Sequence, residues 1–198
     1  MKQLYLALVP TLLLTACSSA AQPLTKDALV GEWICTTEYK HANVGTVDFM
    51  TLNADGSLKD DNYILDHILN VLTNKNIDNY FSSPFRYLSI NEGTWKLSDD
   101  TLTYDLKQKD FKRLITTSIW EDIQKGNELR KLEEKIYHIH SSNKGDEVKL
   151  TFNKFIKDGF ILSQKINGAT YESECLSKNV SNYKYIEVYK NPQLIKEN

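Results

Sequence analysis

Phe160 to Ile166 and Ala169 to Cys175 are two short runs with nothing between them but Asn167-Gly168. That dipeptide constrains the chain more than any other feature. Both of its residues accept positive φ, as a type I′ turn demands, so the flanking runs are predicted to be neighbouring antiparallel strands. Similar punctuation recurs upstream. Val44 to Leu52 reaches Asn53-Ala54-Asp55-Gly56, and Ser57 to Asn62 starts a further strand. Phe85 to Leu97, with a possible break at Asn91-Glu92-Gly93, turns at Ser98-Asp99-Asp100 into Thr101 to Leu106, which alternates at period two. Trp33 to Tyr39 and Phe111 to Ile119 are β-branched and aromatic. Ile136 to Ser141 and Glu147 to Phe152 flank Ser142-Asn143-Lys144-Gly145-Asp146 as an expected hairpin. About ten short strands at this spacing predict a mainly β fold, an antiparallel barrel or sandwich.

Helical signals are few. Thr25 is placed to cap one turn running to Leu29, with Asp27 favourable at its positive end. Tyr63 to Leu72 sets Ile64, Leu65, Ile68, Leu69 and Leu72 on one helical face, with Asp60 or Asp61 as its cap. Leu129, Leu132 and Ile136 also follow helical spacing after Asn127, although Gly126-Asn127 would equally serve as a turn. Tyr183 to Tyr189 is a candidate edge strand.

Composition excludes some classes. The chain is 41% hydrophobic and 25% charged, too apolar for a wholly disordered protein. Its net charge is -2, so it carries no basic footprint and nucleic acid is not an expected partner.

The first residues read as an address. Met1-Lys2-Gln3 is a short positive start, Leu4 to Leu14 is apolar, and small residues follow, the layout of a secretory signal peptide. Leu14-Thr15-Ala16-Cys17 resembles the lipobox of bacterial lipoproteins; the alternative is an ordinary signal peptide with a chance Cys at the cut. The resemblance implies acyl chains, palmitate among them, on Cys17, and several chains hold a protein stably on a membrane where one does not. Ser18 after the Cys resembles cargo of the outer membrane in two-membrane bacteria. The expected organisation is a lipoprotein signal peptide over 1–16, a lipidated tether over 17–24, one β-barrel domain over 25–190 and a frayed tail over 191–198.

Cys35 and Cys175 remain. In an oxidising compartment an even pair favours a disulfide; the other reading is two small buried thiols that stay reduced.

Leu29-Val30-Gly31-Glu32-Trp33, after a helical turn and opening a strand, resembles the Gly-x-Trp opening of lipocalins and of lipocalin-like domains in bacterial lipoproteins. Val47 to Ser57, with its Asp-Gly turn, and Gly93-Thr94-Trp95 through Leu102 resemble further passages of that group. The resemblance implies an antiparallel lipocalin-like barrel with a short N-terminal helical turn and one or two helical insertions. It gives Trp33 a barrel-closing place. Lipocalins set that Trp under an Arg of the last strand; here the arginines are Arg86, Arg113 and Arg130, which leaves Lys165 or Lys178 for the role. A closed barrel also makes the first and last strands neighbours, within disulfide reach of each other.

His138 and His140, two apart on an expected strand, would share a face. They read either as an exposed, non-ligating pair or as half a zinc site completed by His41, His67 or a carboxylate. Trp33, Trp95 and Trp120 read as packing or as pocket lining. The sequence has no Gly-x-Ser-x-Gly and no Gly-rich phosphate loop, so an enzyme is not expected, nor is a cofactor. The expected function is a lipid-anchored, periplasm-facing module on the outer membrane that binds a small apolar or amphipathic ligand. The alternative is an envelope protein-interaction or inhibitor module with a filled barrel.

Overall fold

The computed structural model describes residues 23–42, 44–66, 85–115, 120–121, 124–142 and 144–179. Cys17, His67 and Tyr183 to Tyr189 lie outside them, as do the expected signal peptide, most of the expected tether and the expected tail. Among the described residues are eight strands: β1 (Gly31–Tyr39), β2 (Val44–Leu52), β3 (Ser57–Asp66), β4 (Phe85–Ser98), β5 (Thr101–Arg113), β6 (Asp146–Ile156), β7 (Gly159–Ile166) and β8 (Ala169–Ser177). Each pairs antiparallel with the next, and β8 pairs back onto β1, so the sheet is a closed barrel, as the lipocalin-like resemblance implies. Closure gives each of these strands a partner on both sides over part of its length. No helix among these residues is long and apolar enough to cross a membrane.

The turns form where their residues allow them. Asn167 and Gly168 take φ of 49° and 83°, joining β7 to β8. At the β2–β3 turn the Asn53 carbonyl accepts from Gly56 N at 3.0 Å, and Asp55 Oδ1 accepts from Ser57 N at 2.8 Å.

One end of the barrel is closed. Thr25 caps the single turn α1 (Lys26–Leu29), its hydroxyl accepting from Ala28 N at 3.2 Å. That turn drives Leu29, fully buried, against Leu52, Leu58, Trp95, Leu102 and Phe160. Trp33 Nε1 donates to the Leu29 carbonyl at 2.8 Å, and its ring meets Phe160 edge-on at 4.7 Å. Trp95 Nε1 donates to Asn53 O at 2.9 Å, tying β4 to the β2–β3 turn. Lys165 lies on β7 and Lys178 directly follows β8, the last described strand; Lys178 pairs with Glu32 at 2.6 Å, beside Trp33 in sequence, and its backbone N donates to Glu32 O.

The other end is open and asymmetric. β5 pairs with β6 only from Thr101 to Leu106, while its continuation to Arg113 stays with β4. The helix α2 (Asn127–Ser141), in the β5–β6 connection, packs there. Its Ile136, Leu129 and Leu132 join Phe85, Tyr87, Phe111 and Ile64. Glu133, fully buried, accepts from Arg113 Nε at 2.8 Å and from the Tyr87 hydroxyl at 3.3 Å.

Several expectations are corrected. Among the described residues the strands number eight, not about ten, because Phe111 to Arg113 continue β5 instead of starting a new strand and Ile136 to Ser141 are helical. β4 runs unbroken through Asn91-Glu92-Gly93; the irregularity there is a register shift against β5 at Ile90/Asn91. Tyr63 to Asp66 belong to β3, not to a helix over 63–72, whose remainder lies outside the described residues. Ile64 and Leu65 are both buried because each face of β3 has something to pack on: Ile64 towards the mouth and α2, Leu65 against Ile34, Val47 and Tyr63. Asp60 is therefore a mid-strand residue and caps nothing. Ile136 to Ser141 is the end of α2, not a strand of a hairpin, because the stripe Leu129, Leu132, Ile136 continues through it at helical period.

Candidate functional site

A cavity of about 630 Å3 fills the barrel between the closed floor and the open end. Its chemistry changes along the axis. Near the floor it is walled by the Cys35–Cys175 disulfide, Met50, Leu58, Leu150 and Leu162. Above them is a polar band from Asp48, Asp60, Asn62, Ser89 and Asn91. The mouth has Tyr39, Ile64, Ile166 and, from α2, Ile139 and His140. A shallower depression of about 780 Å3 continues outward over His41, Thr46 and Tyr171. Tyr39 and Tyr171 meet there at 5.1 Å.

The polar band follows from strand alternation. On β3, Leu58, Asp60, Asn62 and Ile64 all point inward; on β2, Asp48 and Met50 do. The register sets Asp48 opposite Asn62 and Met50 opposite Asp60, so the two acids are diagonal neighbours across β2 and β3. Asp48 accepts from Asn62 Nδ2 and from Thr46 Oγ1. Asp60 Oδ2 accepts from Asn91 Nδ2 at 3.0 Å. The bonds continue: Ser89 Oγ donates to Asn91 Oδ1 at 3.0 Å, and Gln108 Nε2 reaches both Ser89 Oγ and the His140 carbonyl. The end of α2 is thus linked through three side chains to Asp60.

Burial dominates the electrostatics. It pushes the Asp48 carboxyl up to about 6, against the opposing bonds from Asn62 and Thr46. It pushes Asp60 well above the usual carboxylate range, and the nearby Asp48 charge adds to this. Tyr39 is pushed up to about 12 by burial and by Asp48. Tyr104 rises for the same reasons, with Asp60 the larger charge. Burial lowers His140, which favours its neutral form. Two polar atoms of this region have no hydrogen-bond partner among the described residues: Asp60 Oδ1 and the Tyr104 hydroxyl. Buried polar atoms are normally paired, so such orphans mark a place where a partner is missing.

The sequence-derived candidates fall in different places. Cys35 and Cys175 are opposed in the β1–β8 register and bonded, with Cα atoms 4.0 Å apart. Trp33 stands at the floor, and no tryptophan lines the cavity among the described residues. His138 and His140 do not share a face: two residues apart on a helix, they diverge, and His138 is exposed while His140 turns to Phe111 and Tyr87. Among the described residues no three His, Cys, Asp or Glu side chains converge as a metal group would need. Sequence reading missed Asp48 and Asp60. The available signal was charge at an inward position, since Asp48 is two residues from Met50 and Asp60 is two from Leu58.

No protein-family model matches this chain, and no curated protein matches it in sequence.

Proposed function

We propose that this protein binds a small amphipathic molecule inside its barrel. The observation that carries the reading is the cavity itself: about 630 Å3, within the usual range for small-molecule sites, apolar towards a closed floor and polar towards an open mouth. An occupant entering by the mouth would bury an apolar end against Met50, Leu58, Leu150 and Leu162 and leave a polar end among Asp48, Asp60 and Asn62. We read the role as binding rather than catalysis. We also propose that the protein works from the periplasmic side of an outer membrane, held by lipid on Cys17; the support is Leu14-Thr15-Ala16-Cys17-Ser18 and the apolar run before it.

Native mass spectrometry of the protein purified from its own envelope tests the first part. A discrete mass excess is expected that vanishes on denaturation and is lost when Leu162→Trp fills the chamber. An excess that persists in this variant, folded, would overturn the reading. For the anchor, Cys17→Ala should release the protein from the membrane fraction; unchanged attachment would overturn it.

A further inference from the structure

We propose that the occupant of the barrel carries a protonated amine, held by Asp48, Asp60 and Tyr104 at the head of the apolar chamber. This inference rests on the binding reading and names the chemical class of its ligand.

Two inward-facing carboxyl groups sit side by side on β2 and β3, and no Lys or Arg lines the cavity among the described residues. His140 is the one basic side chain there, and it stands at the mouth, desolvated by the aromatic rings around it. Isolated buried charges are normally paired, and here the protein supplies amide and hydroxyl donors but no cation. What remains unfilled is specific. Asp60 is 4% exposed and Tyr104 is 3% exposed, yet Asp60 Oδ1 and the Tyr104 hydroxyl both lack partners. An ammonium group has three N–H donors and no acceptor, which complements carboxylate and phenol oxygens. A carboxylate or phosphate head would instead meet like charge. The apolar wall below, with Met50, Leu58, Leu150 and Leu162, suits a hydrocarbon body attached to that amine.

The groups that would respond to pH around this position are Tyr39 on β1, Asp48 on β2, Asp60 on β3, Tyr104 on β5 and His140 on α2. Asp61, next to Asp60, adds a further negative charge. Asp48 loses its proton at about 6, so amine affinity should rise as pH increases through that value.

Three probes with one tail separate head from body: decylamine, decan-1-ol and decanoate, titrated calorimetrically into the purified protein at about pH 7.5 and about pH 5. Decylamine should bind on the order of tenfold tighter than decan-1-ol at the higher pH, as a charge-assisted contact requires, with decanoate weakest. The advantage of the amine should shrink at the lower pH. Asp60→Asn and Asp48→Asn should each reduce the advantage of decylamine over decan-1-ol. Equal affinity for all three probes, or tightest binding of decanoate, would overturn the amine and leave the cavity reading standing. Binding of none would overturn both. The probe series on the unaltered protein decides the matter even where a variant does not fold.

Discussion

Cys35 on β1 and Cys175 on β8 face each other at the seam that turns the sheet into a barrel. Five residue pairs make that seam, from Trp33 opposite Ser177 to Thr37 opposite Ser173, and the disulfide is the middle one. Two residues further up, the Thr37 and Ser173 hydroxyls share a bond of 2.6 Å. The bond closes a separation of 140 residues, and in the chain-entropy model such a crosslink stabilises by about 5 kcal/mol at most. Reduction, or Cys35→Ser with Cys175→Ser, should lower the unfolding free energy by about 2–5 kcal/mol, read from urea melts with and without dithiothreitol. Identical melts would show that the seam holds without it.

Gly159 makes a second, steric constraint at the same strand. It sits opposite Leu176, and a Cβ built there runs into the Cys175 carbonyl oxygen. Gly159→Ala must therefore push β7 from β8 beside the disulfide. A loss of about 1–3 kcal/mol is expected, measured by urea denaturation. Gly168→Ala is the control: it meets no atoms, and its penalty is the positive φ of 83° alone.

The barrel was legible because its turns and strand ends carry their own chemistry. Val44–Leu52 and the Asn53 to Gly56 turn are as the residues predict, and Asn167-Gly168 adopts the positive φ it was read to need. The errors have separate causes. Strands covered on both faces lose their alternation, so Ile64 and Leu65 imitated a helical stripe. Ile136 to Ser141 resembles a strand, because its β-branched and aromatic residues outweigh a weak helical pattern in a local reading. Asp48 and Asp60 are twelve positions apart on different strands, and register alone makes them neighbours. No local pattern carries register, so the sequence offers Asp60 only as a helix cap and Asp48 not at all.

The hold on α2 should be weaker than the barrel. Glu133 is fully buried and bound to Arg113, whose guanidinium lies 3.5 Å from the Tyr137 ring centre and 5.5 Å from that of Trp120. Arg113→Ala leaves a buried carboxylate with the Tyr87 hydroxyl, whereas Glu133→Gln keeps a neutral acceptor for both partners. Arg113 is partly exposed, which screens its contribution. The expected loss for Arg113→Ala is about 1–3 kcal/mol, with less for Glu133→Gln. Hydrogen exchange should show faster amides from Asn127 to Ser141, with the strands unchanged. Equal protection in both variants would remove Glu133 as the anchor of the helix.

The acids in the cavity should make the empty protein less stable at neutral pH than in mild acid. Asp48 has an ordinary value of 3.8 and titrates at about 6 in the fold. Between these values the folded state binds more protons than the unfolded chain, so stability falls as pH rises from about 4 to about 6 and stays low above. Asp60 acts in the same direction. Asp55, Asp110 and Glu147 are lowered by local bonds and act in the opposite sense, but they are exposed and their effect falls below the ordinary carboxylate range; His140, lowered by burial, also opposes the acids as pH rises towards the ordinary imidazole value, and Asp48 and Asp60 together outweigh it. Thermal melts from about pH 4 to about pH 8 should therefore show a decline through about pH 6. Asp48→Asn should flatten it and raise the neutral melting temperature. Saturating decylamine should restore stability most at the upper end, because a ligand that binds the ionised acids offsets their burial. A melting temperature that rises steadily from about pH 4 to about pH 8 would contradict the burial of ionisable acid in the barrel.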